Sequence, residues 1–252
     1  MMVMTPEQRY EFDTQGFCVL KNVFNKSFIE KSNKIIEKLE KIQESQYPEN
    51  VVHGKPRSKS ELYISNIIES DKFFFNLINN KSYIDIIKEI HIGNFRLNHT
   101  YSISRWDKGY TYLHMAAKPL HPKATYQCNG EEIFSLTNKV VIPLLGCKKN
   151  DGGFGVVPGS HKSNFKRPYS DHPDKNPSFT YVKVDIGDVI VFTEALTHGS
   201  FVNTSGKPRR TIFLCYSVGY MPDWGKLGLT FSKNFFNSLT NEQKKIVELK
   251  PH

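Results

Sequence analysis

The change of character at Gly93 constrains this chain more than any other feature. Before it, Phe28, Ile29, Ile35, Ile36, Leu39 and Ile42 recur three and four apart among lysines and glutamates. That spacing predicts an amphipathic helix from Asn25 to about Ser45, with Asn25 or Ser27 as its cap. Helical patterns resume from Asp71 to Leu77 and from Tyr83 to Ile90. After Gly93 the period drops to two. The run from Phe95 through His99 and Tyr101 to Ile103 alternates, and short β-rich segments follow at Val140 to Leu145, Tyr181 to Val184, Val189 to Phe192 and Thr211 to Tyr216. Each is bounded by Gly, Pro or Asn. Helices first and many short strands afterwards predict an α+β domain with a mainly β core, closed or sandwiched.

A chain of 252 residues buries a full core as one domain. The expected division is a mainly helical flank over 1–92, a β core over 93–220 and a C-terminal extension over 221–252. Within the flank, Gly16-Phe17-Cys18-Val19-Leu20 reads as a short strand, and residues 48–60, rich in Pro, Gly and Ser, read as loop. Cap chemistry at Leu239-Thr240-Asn241-Glu242-Gln243 opens a final helix. No apolar run approaches the roughly eighteen residues of a membrane span. Thr5-Pro6-Glu7-Gln8-Arg9 stands where a signal peptide needs apolar residues. Cys18, Cys128, Cys147 and Cys215 are widely spaced and form no CxxC pair, so a reducing, cytoplasmic setting without disulfides or a zinc knuckle is expected. The net charge of +9 comes from lysines scattered among acids rather than gathered in a patch. It suits an anionic small molecule better than a nucleic acid. Asp151-Gly152-Gly153 lacks the context of a phosphate loop.

Chemistry concentrates near the end of the β region. His198 follows the apolar run Val189-Ile190-Val191-Phe192 and precedes a polar turn, so a core strand aims it into a cavity. Arg209 lies eleven residues on, at the start of the next strand, where a hairpin return brings it alongside His198, suited to clamping a carboxylate. Alternation along Arg209-Arg210-Thr211-Ile212 turns only one arginine inward.

Several runs together resemble the phytanoyl-CoA dioxygenase family of Fe(II)/2-oxoglutarate oxygenases. They are Phe12-Asp13-Thr14-Gln15-Gly16-Phe17, Gly152-Gly153-Phe154, Val157-Pro158-Gly159-Ser160-His161-Lys162, His198-Gly199-Ser200, Asn203 and Arg209. The resemblance implies a double-stranded β-helix of the jelly-roll, cupin-like kind with flanking N-terminal helices. It further implies iron held by two histidines, and 2-oxoglutarate gripped at its far end by Arg209, with Ser200 as a second contact. O2 and a small-molecule substrate complete the reaction. The family spacing also favours Arg209 over Arg210.

The family's first iron motif is His-any-Asp, and His114, 84 residues before His198, fits it best. His121 comes too late and His99 too early. The third position here is Ala116, where non-haem iron sites ordinarily place a carboxylate. Three readings stay open. In related halogenases the same position is Ala or Gly and a halide, chloride or bromide, binds iron there, which favours halogenation of an aliphatic C–H bond. Alternatively, Glu194, Asp107 or water completes the site and hydroxylation survives. In the third reading the domain is a non-catalytic binding module. Around the site, His99, Tyr101 and Tyr126 line the cosubstrate or substrate pocket or else pack the core. Trp106 and Trp224 are candidates to cover its mouth. His161 reads as a structural residue of a tight turn. Substrate specificity is expected in loops 48–60, 107–126 and 164–180.

Overall fold

The computed structural model describes residues 3–53, 60–115, 125–130, 132–163, 165–222 and 231–250. Its helices are α1 (Pro6–Gln15), α2 (Lys26–Lys41), α3 (Lys81–Ile90), α4 (Lys233–Ser238) and α5 (Asn241–Val247). Asn25 caps α2 by accepting from the Phe28 N–H at 2.9 Å, as its sequence position predicts. Thr240 caps α5 in the same manner. Helix α1 carries no apolar periodicity. It rests on end chemistry instead: a reciprocal Thr5/Gln8 capping box, Pro6 in the first turn, and Gly16 in the left-handed region at its C-terminus. A Cβ on Gly16 would lie 2.7 Å from His161 Nδ1, so conformation and space both require glycine there.

The N-terminal strands are β1 (Phe17–Leu20), β2 (Val52–His53) and β3 (Glu61–Ser65). From Phe95 onward come β4 (Phe95–Arg105), β5 (Thr111–His114), β6 (Tyr126–Asn129), β7 (Glu132–Ser135) and β8 (Thr137–Leu145). The series ends with β9 (Phe154–Val156), β10 (Thr180–Tyr181), β11 (Val189–Thr193), β12 (His198–Ser200) and β13 (Arg209–Val218). Seven strands form one sheet in the order β1-β11-β8-β13-β4-β3-β2. A second sheet runs β10-β9-β12-β5, and β6-β7 is a separate hairpin. The two larger sheets form the double-stranded β-helix. Three strands of the N-terminal flank belong to the large sheet, so the flank is helix and strand together. The segment from Lys72 to Leu77 is a 3-10 helix rather than an α-helix.

The large sheet is covered on both faces, which is why its strands read as unbroken apolar runs. Alternate residues go to different cores. Val140, Ile142, Leu144, Val189, Val191, Ile212 and Leu214 pack outward with the helices, beside Ile36 of α2 and Ile87 of α3. Val141, Ile190, Phe192, Phe213 and Tyr101 pack inward with Phe154 and Val156 of the second sheet. A cavity opens between the two sheets, on the inward face.

Candidate active site

Strand β12 lies between β9 and β5, and its antiparallel register with β5 sets His198 directly opposite His114. Their ring centroids are 4.2 Å apart. Each imidazole is oriented by its own strand: His114 Nδ1 bonds the Tyr112 carbonyl at 2.9 Å and His198 Nδ1 bonds the Leu196 carbonyl at 2.8 Å. A carbonyl only accepts, so both Nδ1 atoms carry the proton and both Nε2 atoms carry the lone pair that a metal requires. Phe192 and Phe154 pack against the His198 ring and hold its plane.

Arg209 projects into the same cavity at 2% exposure, and its Nη1 finds no partner among the described residues. Burial, with the Arg105 cation opposite it in the β13–β4 register, draws the guanidinium down to about 9. A buried cation with an open donor is a receptor for an anion. Arg210 turns the other way, as alternation predicts, and grips Glu40 of α2 through two nitrogens at 2.7 and 2.6 Å.

Ser200 also lines the cavity. Its Oγ accepts from Arg105 Nη1 and from the Thr111 N–H, both at 2.8 Å. Arg105 in turn donates to Thr111 Oγ1 and to Glu61 Oε2. His99 and Tyr101 line the cavity too, stacked on each other and, through Tyr101, between Tyr63 and Phe213. Burial and the neighbouring Lys139 push His99 down to about 3, so it is a neutral imidazole. Tyr126 is not brought to this cavity: it sits on the β6–β7 hairpin, donates to Asp13 Oδ1 at 2.6 Å and meets His161 edge-on. A hairpin outside both large sheets carries it away from the strands leading to His114. His161 is buried, bonds the Asp13 carbonyl at 3.0 Å and joins α1 to the turn after β9, the structural role expected of it.

Ala116, and with it His121 and Trp224, lies outside the described residues. Among the described residues, no group of three or more His, Cys, Asp or Glu is arranged to hold a metal ion. Asp107 is exposed in the turn after β4 and does not line the cavity, so it is not placed to supply the missing carboxylate. Glu194 is buried with Oε1 3.6 Å from His198 Nε2, but that oxygen also lies 2.9 Å from Lys139 Nζ. Burial alone would lower the Lys139 ammonium, yet Glu194 and Tyr101 hold it above its ordinary value, so the ammonium stays charged.

Sequence reasoning missed Arg105, Lys139 and Thr111. Arg105 was within reach, because it shares the parity of His99, Tyr101 and Ile103 on β4, and all four line the cavity.

The inner cavity, about 140 Å³, contains both histidines, Ser200 and Arg209. A larger one, about 850 Å³, shares His114 with it and is walled by Met115, Val157, Phe165, Lys166, Arg167 and Tyr169 among others. Two facing sheets, with His114 and His198 paired across neighbouring strands and the buried Arg209 one strand further on, place the protein in the double-stranded β-helix class. Residues 12–211 match the family model "Phytanoyl-CoA dioxygenase (PhyH)", and the chain belongs to that family. It is 21% identical to the dioxygenase cnsJ of Penicillium expansum over 81% of this chain, and it spans 63% of that relative's length. Among solved structures it is similar to HygX of Streptomyces hygroscopicus with nickel and 2-oxoglutarate bound. There the TM-score is 0.76 and the identity 22%, covering 88% of this chain and 91% of that one. It is similar also to SnoN, a non-heme alpha ketoglutarate dependent epimerase from nogalamycin biosynthesis. For SnoN the TM-score is 0.64 and the identity 14%, over 85% of this chain and 83% of that one.

Proposed function

We propose that this protein is an Fe(II)/2-oxoglutarate-dependent oxygenase that oxidises an aliphatic C–H bond of a small molecule. The observation that carries the reading is the histidine pair, with both Nδ1 protons tied to carbonyls, in one cavity with the open guanidinium of Arg209. His114 and His198 hold the metal. Arg209 receives the far carboxylate of 2-oxoglutarate, and Ser200, Tyr101 and His99 wall its site. HygX, bound to nickel and 2-oxoglutarate, supports these cofactors, and its complex with hygromycin B supports a small-molecule substrate. The larger cavity, meeting the inner one at His114, is where such a substrate sits; its size is that of a typical small-molecule site.

When bound, iron and 2-oxoglutarate supply the oxidising power: R–H, O2 and 2-oxoglutarate give R–OH, succinate and CO2. The chain binds, orients and shields the reactants. Ala116 favours a second outcome, in which chloride or bromide occupies the place of the missing carboxylate. R–H, halide, a proton, O2 and 2-oxoglutarate then give R–X, succinate, CO2 and water. Glu194, whose Oε1 lies 2.9 Å from Lys139 Nζ and 3.6 Å from His198 Nε2, is the carboxylate that competes for that position.

The test is anaerobic titration of the metal-loaded protein with 2-oxoglutarate, followed by succinate detection in air with and without chloride or bromide. Absence of metal-dependent 2-oxoglutarate binding would sink the oxygenase reading. Halide dependence that survives Ala116→Asp unchanged would refute a halide beside Ala116.

A further inference from the structure

We infer that Arg167 is a positioning residue that locks both metal-binding strands to the loop walling the larger cavity. The inference rests on the metal-site reading above. Strand β5, which carries His114, is an edge strand of its sheet. Its open side is closed by the loop after the Ser160–Lys162 turn: the Leu113 N–H donates to the Asp171 carbonyl at 2.7 Å, and Arg167 Nη2 donates to the Leu113 carbonyl at 3.2 Å. The same Nη2 pairs with the Asp171 carboxylate, which fixes the guanidinium from the loop side.

The other end of that guanidinium reaches the second strand. Arg167 Nη1 donates to Thr197 Oγ1 at 3.3 Å, and Thr197 Oγ1 in turn donates to Met115 Sδ at 3.7 Å. Leu113 and Thr197 are the residues immediately before His114 and His198, and Met115 is the one after His114. One guanidinium therefore joins the backbone carbonyl next to His114 to the Thr197 hydroxyl next to His198. Thr197 is braced further by its N–H to Ser160 Oγ at 2.8 Å and its carbonyl to the Val157 N–H at 2.8 Å. Arg167 suits the task because its planar fork serves three acceptors in fixed directions, which a lysine ammonium does not reproduce.

Arg167 also lines the larger cavity, beside Phe165, Lys166 and Tyr169. The wall a substrate would touch and the strands that set the histidine separation are thus one hydrogen-bonded unit. Outer groups that orient metal ligands typically carry about 10–100-fold in metal affinity, which sets the scale of the effect.

The probe is Co(II) alone, titrated anaerobically into the full chain while its visible absorption is recorded, at a temperature where circular dichroism shows each variant folded. Arg167→Ala is expected to lose about 10–100-fold in Co(II) affinity with an altered visible spectrum, and Arg167→Lys to recover part of the loss. Should Arg167→Ala not fold, Arg167→Lys and Thr197→Val carry the test, each expected to weaken Co(II) without unfolding. Folded variants that bind Co(II) with the wild-type affinity and spectrum overturn this inference and leave the metal site standing. A wild-type chain that does not bind Co(II) overturns both.

Discussion

Replacing Arg209 by methionine should raise the stability of the ligand-free protein while abolishing its response to 2-oxoglutarate. The guanidinium is buried, drawn down to about 9, and keeps an open Nη1, so without an anion it is a net cost to the fold. An unsatisfied buried charged donor costs about 1–3 kcal/mol, and an apolar chain of similar volume removes that cost. For a domain of this size each kcal/mol moves Tm by roughly 2–4 °C, so Arg209→Met should melt about 2–12 °C higher than wild type. Methionine fills much of the same volume, which keeps the packing loss small.

The ligand response should move the opposite way. Two charge-assisted hydrogen bonds to a carboxylate contribute about 3–5 kcal/mol together. At about 1.4 kcal/mol per tenfold, affinity should fall by roughly two to nearly four orders of magnitude. At a 2-oxoglutarate concentration about 100 times the wild-type Kd, in the presence of Mn(II), the wild type should gain about 2.7 kcal/mol. The variant should gain about 0.4 kcal/mol or less. Differential scanning fluorimetry with and without 2-oxoglutarate reads both effects. Arg210→Met is the control: it breaks the two-pronged bond to Glu40 and should lower Tm while leaving the 2-oxoglutarate shift intact. A lower Tm for ligand-free Arg209→Met with an undiminished 2-oxoglutarate shift would refute the assignment of Arg209 as the anion receptor.

The other predictions concern the strand pair and the acid limb of stability. In Gly199→Ala the new Cβ would lie 2.8 Å from the Thr111 carbonyl and 3.4 Å from that of Tyr112, both backbone, so β5 must move away from β12. Co(II) titration should show affinity reduced by about tenfold or more, and wild-type affinity would mean that the histidine separation tolerates the shift. His91 is buried at the end of α3, where its Nε2 accepts from Asn138 at 3.0 Å, and burial with Lys250 holds it down to about 3. The unfolded chain binds that proton near 6.5, so this contribution is complete above about 6.5 and is lost as pH falls from there towards 3. Urea midpoints at pH 7 and pH 4 should therefore separate less in His91→Gln than in wild type, and equal separations would remove His91 from the acid response.

How much of this was legible in the sequence depends on the range of the force involved. The helix from Asn25, the strands at Val140, Val189 and Thr211, and the inward turn of Arg209 follow from periodicity, which a single segment displays by itself. Strand β3 does not, because five residues after a breaker-rich stretch are too few to show a period, and it forms by adding to β4 in space. Lys139 reads locally as the polar margin of an apolar run. It is buried only because Glu194, 55 residues away, supplies its counter-charge. Arg167 lies in an irregular loop, and its partners Leu113 and Thr197 become neighbours only once β5 and β12 pair.

The register of that pair explains a feature that alternation would have forbidden. Thr111 and His114 are three residues apart on β5, and in a regular strand an odd interval sends two side chains to opposite faces. Yet both line the inner cavity. Opposite them, Ser200 pairs with Thr111 and His198 with His114, an interval of two against three, so the ladder carries an irregularity between those pairs. An extra residue on one strand resets its facing, the usual effect of a β-bulge. Here it places the hydroxyl that anchors Arg105 and the imidazole opposite His198 on the same side of the sheet. One inserted residue thus lets a four-residue strand serve both ends of the cavity, the end of the histidine pair through His114 and the other end through the Thr111, Arg105 and Ser200 network.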